Sequence, residues 1–192
     1  MARVKLIQKD QAAPEIKELF QQIEDNGARI MNFYRVVANS PGVARSAIKL
    51  GNSLISRTEL SPKLRELTIM RIAKLCDCDY EWVQHTPVAL QSGLTQAQLD
   101  VIGSWNESYA FSQEERTVLL YVDEVAKNVS VTDETFHAVR RYLDERQIVE
   151  LTLAIGWWGM LARLFVPLEV EVDEQSASST CDLIGRRDVR KS

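Results

Sequence analysis

The stretch LRELTIMRIAKLCDCDYEWVQHTPVALQSGLTQAQLDVI, residues 64–102, decides the fold of this chain. The Ser-Pro pair at 61–62 fits a helix start, because proline has no N–H to leave unpaired at the first helical position. Gly93 fits a helix C-terminus, and Thr95 fits the first residue of a capping box that starts the following helix. Another start is expected within CDCDYE, residues 76–81. The stretch is therefore predicted to form three consecutive helices.

The rest of the chain carries the same helical signals. Apolar residues recur at helical spacing in PEIKELFQQIEDN, residues 14–26. Further helix starts stand at Pro14, Pro41, Ser112 and Thr132. LEVEVDE, residues 168–174, alternates instead and is expected to be an extended coda. These patterns predict an all-α, single-domain helical bundle of about eight helices over residues 1–175. The polar residues 176–192, which include Cys181, are predicted to form a mobile tail.

One weak internal echo concerns the organisation of the bundle. RELTIMRIAKL at 65–75 and VELTLAIGWWGML at 149–161 share Glu-Leu-Thr followed by an apolar helix. Two related helical hairpins would explain this match, and so would chance.

Composition limits the classes of function. The chain has 192 residues, a formal net charge of -4 and 45% hydrophobic residues, which is ordinary for a soluble globular protein. Basic residues cluster only at 185–192, so no nucleic-acid partner is expected. No secretory signal is expected, and residues 151–168, which carry Arg163 and Pro167, are predicted to be a buried helix rather than a membrane span. Three cysteines cannot all pair internally, which favours a reducing, cytoplasmic setting.

Chemistry-bearing residues share one face of the helix expected after residue 78. Cys78, Glu81 and His85 are spaced by three and four residues, so they line up along one helical face. Cys76 lies roughly 200° around the axis from Cys78. Glu66 stands twelve residues before Cys78 on the preceding helix. An antiparallel hairpin of the two helices would bring its carboxylate to this face.

Two further expectations concern the same helix. Asp77 or Asp79 is expected to cap its N-terminus. An apolar stripe is expected to pack on a different side from the polar face. Its members are Tyr80, Val83, Pro87 and Leu90.

Across residues 35–110 the chain resembles the carboxymuconolactone decarboxylase superfamily, which includes the alkyl hydroperoxidase D proteins. In the hydroperoxidase branch a helix glutamate is followed twelve residues later by Cys-x-x-Cys-x-x-x-His. Here Glu66 matches the glutamate, Cys78 the first cysteine and His85 the histidine, whereas Glu81 replaces the second cysteine. The resemblance implies an all-helical fold, no cofactor or metal, and a homo-oligomer such as a dimer, trimer or hexamer.

The residues leave several chemistries open. Glu81 and His85, one turn apart, are placed to hydrogen-bond and to move a proton, with Glu66 orienting one of them. The founding activity of the superfamily implies a small carboxylated cyclic acid as substrate, and decarboxylation, isomerisation or lactone processing as reaction. Arg71 and Arg65 are the candidate cations for its carboxylate.

The competing hypotheses use the same residues differently. A thiol-dependent peroxidase (peroxiredoxin activity) would use Cys78, but the acids around it oppose a thiolate. A metal site would take Cys78, Glu81, His85 and Glu66 as mixed ligands. A helical oligomer that binds a ligand without catalysis is the non-enzymatic alternative.

Two other features have ordinary readings. His137 is expected on a solvated helix face, and GWWGM at 156–160 is expected at a subunit interface, where its tryptophans would bury large area. The sequence thus predicts a cofactor-free, cytoplasmic enzyme that acts on a small molecule, with no membrane partner. Its predicted catalytic residues are His85, Glu81, Glu66 and Cys78.

Overall fold

The computed structural model of the protein describes residues 1–173. The predicted tail at 176–192 and Cys181 lie outside the described residues. Within residues 1–173 the chain forms nine α-helices, one 3₁₀ helix and no strand, which confirms the all-α prediction. The helices are α1 (Pro14–Asp25), α2 (Asn32–Val37), α3 (Pro41–Ser56), α4 (Pro62–Leu75), α5 (Asp79–Gln91), α6 (Gln96–Val101), the 3₁₀ helix (Ile102–Glu107), α7 (Gln113–Asn128), α8 (Asp133–Val139) and α9 (Glu145–Phe165).

The chain divides into two compact units. The first comprises Met1–Arg57 together with the described residues from Leu168 onward, and it contains α1, α2 and α3. Its chain ends are tied together, because both carboxylate oxygens of Asp173 accept the backbone N–H of Asn32, at 2.9 and 3.1 Å. The predicted coda forms no strand as far as residue 173. The single domain predicted over residues 1–175 stays a prediction.

The second unit, Thr58–Pro167, is built around α4. Helix α4 packs against α5, α7 and α9, and ten of its fourteen residues are buried. Leu67, Ile69 and Met70 on α4 are fully enclosed. A helix surrounded in this way fixes the positions of its polar side chains as firmly as those of its apolar ones.

Helix α9 is the one described helix that is long and apolar enough to cross a membrane by length and composition. Most of its apolar window, 61%, is buried inside the chain. That burial agrees with the predicted core helix.

The helix starts confirm the local signals. Helices α1, α3 and α4 begin at Pro14, Pro41 and Pro62. Thr95 with Gln98 and Ser112 with Glu115 form complete capping boxes. Gly93, at φ 100°, occupies the left-handed position that follows α5.

Glu115 connects three of these helix starts. Its carboxylate accepts the Ser112 backbone N–H at 2.8 Å, the Gln98 side-chain amide at 3.0 Å and the Lys63 ammonium at 2.6 Å. Burial alone would raise the pKa of Glu115, but the hydrogen bond from Lys63 and those from Ser112 and Gln98 lower it below the ordinary 4.5. This buried carboxylate is thus fully partnered and structural.

Candidate active site

A three-residue turn brings α4 and α5 together. The Cys78 N–H donates to the Ala73 carbonyl at 2.9 Å, and Asp77 between the helices has a left-handed φ of 47°. This is the geometry of a Schellman helix ending, in which an aspartate tolerates the left-handed position better than most residues. The turn reverses the chain, so α5 runs back along α4 as the predicted hairpin requires.

The N-cap of α5 differs from the prediction. Cys78 is the N-cap residue, with Asp77 in the preceding turn and Asp79 as the first helical residue. Asp77 is occupied by the left-handed position that closes α4. For that reason neither aspartate caps the helix.

The predicted polar face of α5 exists and is its buried face. Cys78 is 1% exposed, Glu81 2% and His85 7%. The separate apolar stripe is wrong, because Pro87 and Leu90 are exposed and only Tyr80 of that set is buried. Helix α5 therefore turns its chemistry-bearing side chains inward, toward the core of the unit.

His85 is held at both ring nitrogens. Nδ1 lies 2.9 Å from Glu66 Oε2, as the hairpin predicted, and the indole Nε1–H of Trp158 donates to Nε2 at 3.3 Å. The two rings meet edge to face, at 84° and 5.9 Å between centroids. A carboxylate only accepts and an indole N–H only donates. Neutral His85 accordingly carries its proton on Nδ1 and presents the Nε2 lone pair to Trp158.

Glu66 is the anionic member of this group. It is 1% exposed, and its second oxygen, Oε1, accepts the Arg65 Nε–H at 3.3 Å. The carboxylate is thus compensated on one side by a guanidinium while its other oxygen orients the imidazole. Such a pairing holds the ring orientation that a proton acceptor needs.

Glu81 is buried without a partner. Neither of its carboxyl oxygens has a hydrogen bond, so the predicted bond between Glu81 and His85 is not made. Burial raises the pKa of Glu81 well above its ordinary 4.5. The group is therefore an uncharged carboxylic acid at neutral pH, one turn from His85 on the same face.

The two described cysteines are both free thiols. Burial, followed by the negative charge of Glu81, raises the pKa of Cys78 to about 12, although the backbone N–H groups of Glu81 and Tyr80 oppose the shift. Burial also raises the pKa of Cys76, against the attraction of Arg163. Both thiols are thus protonated at neutral pH.

Cys78 is expected to resist alkylation in the folded protein. A shift from 9.0 to about 12 lowers the thiolate fraction at pH 7 about 1000-fold, so iodoacetamide should label Cys78 at least that much more slowly than an ordinary thiol. The measurement is peptide mass spectrometry of a Cys181→Ser variant, with urea-unfolded protein as the fully labelled control. Rapid labelling of Cys78 in the folded state would contradict this expectation.

The two candidate cations have other roles. Arg71 forms a bidentate pair with Asp123, at 2.6 and 2.7 Å, and donates to the carbonyls of Ile102 at 2.8 Å and Gly103 at 3.0 Å. Arg65 pairs with Glu66. Arg71 is therefore a link between helices. Among residues 1–173 no group of three or more His, Cys, Asp or Glu side chains is placed to hold a metal ion.

Trp158 is the site residue that sequence reasoning missed. It was expected at a subunit interface, but it is buried within its own chain, and its partner His85 lies 73 residues away. The available signal was chemical, since a tryptophan in an apolar helix needs an acceptor for its N–H. His137 is exposed, as predicted.

The fold and these contacts define a class of all-α proteins in which a helical hairpin carries a buried glutamate–histidine pair beside a cysteine. Residues 41–124 match the carboxymuconolactone decarboxylase family. The uncharacterized protein YdfG of Bacillus subtilis is 31% identical over 102 residues, which cover 52% of this chain and 69% of YdfG. The chain belongs to the carboxymuconolactone decarboxylase family.

Two solved structures share the fold. The alkylhydroperoxidase AhpD core of an uncharacterized peroxidase-related protein from Ralstonia eutropha JMP134 matches with a TM-score of 0.78 and 15% identity, covering 90% of this chain and 93% of that chain. The debrominase Bmp8 in complex with 2,3,4-tribromopyrrole matches with a TM-score of 0.71 and 17% identity, covering 91% and 95%. Enzymes of different chemistry thus use this fold, and the reaction must be argued from the side chains.

Proposed function

We propose that the protein is an enzyme that transfers protons on a small organic molecule without a cofactor. The observation that carries the proposal is the orientation of His85, which Glu66 and Trp158 hold from opposite sides in one tautomer, at 2.9 and 3.3 Å. Glu81, the uncharged acid one turn away, supplies the complementary group. A proton acceptor and a proton donor on one helix face are the minimum for acid–base catalysis.

The roles follow from the contacts. His85 Nε2 accepts a proton from the substrate when the substrate replaces the Trp158 indole as hydrogen-bond partner. The Glu66 carboxylate then stabilises the imidazolium through Nδ1–H. Glu81 delivers its proton to the anion that develops on the substrate. Decarboxylation, isomerisation and lactone opening all need such a delivery to carbon or oxygen.

Membership of the family supports decarboxylation or lactone chemistry, and with it a carboxylated cyclic acid as substrate. Against this substrate class, both predicted cations are engaged, Arg71 with Asp123 and Arg65 with Glu66. We therefore propose the proton transfer itself as the function. A homo-oligomer and a cytoplasmic setting are kept as parts of the proposal.

A thiol-dependent peroxidase is the second candidate. It is favoured by the place of Cys78 at the start of α5, where two backbone N–H groups act in favour of the thiolate. The buried, protonated thiol and the replacement of the second cysteine by Glu81 oppose it. Peroxide reduction at Cys78 would need an external thiol, or Cys76, to reduce the sulfenic acid it produces.

The test compares the two chemistries in the same protein. Purified wild type and Cys78→Ser are assayed for consumption of an organic hydroperoxide with a dithiol reductant, and for turnover of lactones with and without a carboxylate. Under the acid–base proposal, Cys78→Ser consumes peroxide no faster than buffer and retains lactone turnover. Peroxide consumption that the substitution abolishes would replace the proposal with the thiol mechanism. Turnover in neither assay would favour a binding protein.

A further inference from the structure

The Glu81 carboxyl group differs from every other buried acid in the described part of the chain. Glu66, Glu115 and Glu150 all have partners; Glu150, for example, accepts the backbone N–H groups of Glu59 and Leu60 at 2.8 and 2.9 Å. The two Glu81 oxygens are the only buried side-chain nitrogen or oxygen atoms of residues 1–173 without a hydrogen bond. An unpaired buried polar group costs about 1–3 kcal/mol, so its retention points to a ligand.

The surroundings of Glu81 favour its uncharged form. The titratable groups that sense its charge are the thiols of Cys76 and Cys78. The two buried arginines of the unit are committed to other acids, Arg65 to Glu66 and Arg71 to Asp123. An uncharged carboxyl group offers one O–H donor and one C=O acceptor side by side. Its complement is a ligand with an acceptor and a donor on neighbouring atoms.

We propose that Glu81 binds an uncharged ligand that carries a hydrogen-bond acceptor and a hydrogen-bond donor side by side, as a primary amide or a lactam does. Such a ligand pairs with both Glu81 oxygens at once and ends their isolation. A carboxylate offers only acceptors, so one of its negative oxygens would face the carbonyl of Glu81. An ester or lactone also lacks the donor. The inference rests on the proposed function, because it assigns the substrate class of the same site.

The experiment uses three probes of one shape: benzamide, benzoate and methyl benzoate. Their binding to the full chain at pH 7 is measured by saturation-transfer NMR titration. Benzamide is expected to bind about tenfold or more tightly than either other probe, the effect of one or two net hydrogen bonds. Glu81→Gln retains a donor and an acceptor and is expected to bind benzamide within about threefold of wild type, whereas Glu81→Leu should lose about tenfold.

Two controls separate recognition from folding. Glu115→Gln changes a buried glutamate whose oxygens are already paired, so benzamide binding should be unchanged. Thermal unfolding of Glu81→Leu shows whether lost binding reflects lost structure. Because the replaced group has no partner, this variant is expected to unfold no earlier than wild type.

The outcomes distinguish the inference from the proposed function. Tighter binding of benzoate than of benzamide, full benzamide binding by folded Glu81→Leu, or no saturable benzamide binding to wild type would each overturn the inference. A Glu81→Gln protein that binds benzamide but turns over no substrate supports both the recognition role and the proton-donor role. If it binds benzamide and also turns over at the wild-type rate, the proton-donor role fails while the recognition role stands.

Discussion

Replacing His85 with alanine is expected to lower turnover of the substrate about 10²–10⁴-fold, the usual contribution of a positioned acid–base group. The reason is specific to the geometry. Nε2 of His85 is the proposed proton acceptor, and neither of its neighbours can replace it. Glu66 is compensated by Arg65, and Trp158 has no lone pair to offer. The measurement is kcat and KM on the substrate that the comparison of lactones and hydroperoxides identifies.

His137→Ala is the matched control, since the chain has two histidines and the second is exposed. It should leave kcat unchanged. Glu66→Gln tests the orientation of the ring, because a glutamine amide can donate to Nδ1 and thereby reverse the tautomer. A drop in kcat nearly as large as that of His85→Ala is expected. Wild-type kcat in folded His85→Ala would remove His85 from the mechanism.

Trp158→Phe separates the indole N–H from the packing of its ring. The N–H donates to the same Nε2 lone pair that the substrate must use, so its loss frees the acceptor while Glu66 still fixes the tautomer. The variant is therefore expected to bind donor ligands at least as tightly as wild type. It would separate the role of the indole from that of the carboxylate.

The parts of this site that follow from short sequence distances were predictable. Helical spacing aligns Cys78, Glu81 and His85, and the short connection to α4 returns Glu66 to that face. Helix starts at proline and in capping boxes depend on interactions within a few residues. These features need no knowledge of the rest of the fold.

The parts that depend on tertiary packing were not predictable. The burial of the polar face of α5, in place of the apolar stripe with Pro87 and Leu90, depends on how α5 lies against α4. Trp158 reaches His85 from a helix that begins sixty residues later. The sequence offers an indole and an imidazole, but only the packing of α9 against α4 makes them partners.

The same limit explains Arg71, whose sequence position suggested a substrate-binding cation. Its partner Asp123 lies 52 residues away on α7. Four hydrogen bonds, two to Asp123 and two to backbone carbonyls, use four of the five N–H donors of a guanidinium. The side chain is thus fixed between α4, α7 and the 3₁₀ helix and has one donor left.

Arg71→Met is therefore expected to lower the free energy of unfolding by about 3–5 kcal/mol, because it leaves a largely buried Asp123 without its main partner. Urea unfolding measures the change. Arg140→Met, which removes an exposed pair with Glu145, is the matched control and should cost less than about 1 kcal/mol. The double variant with Asp123→Leu should recover part of the loss, since the unpaired charge is then absent.

The pH dependence of this pair gives an independent check. Burial alone would raise the pKa of Asp123, but the hydrogen bond from Arg71, followed by that from Lys127, lowers it below the ordinary 3.8. The pair therefore stabilises the folded state above pH 3.8, and this stabilisation is lost as the pH falls through the lower, folded-state pKa. Arg71→Met should weaken that loss on the acid side. If Arg71→Met leaves both stability and its pH dependence unchanged, Arg71 is not committed to Asp123, and its role as the cation for a carboxylated substrate becomes the better interpretation.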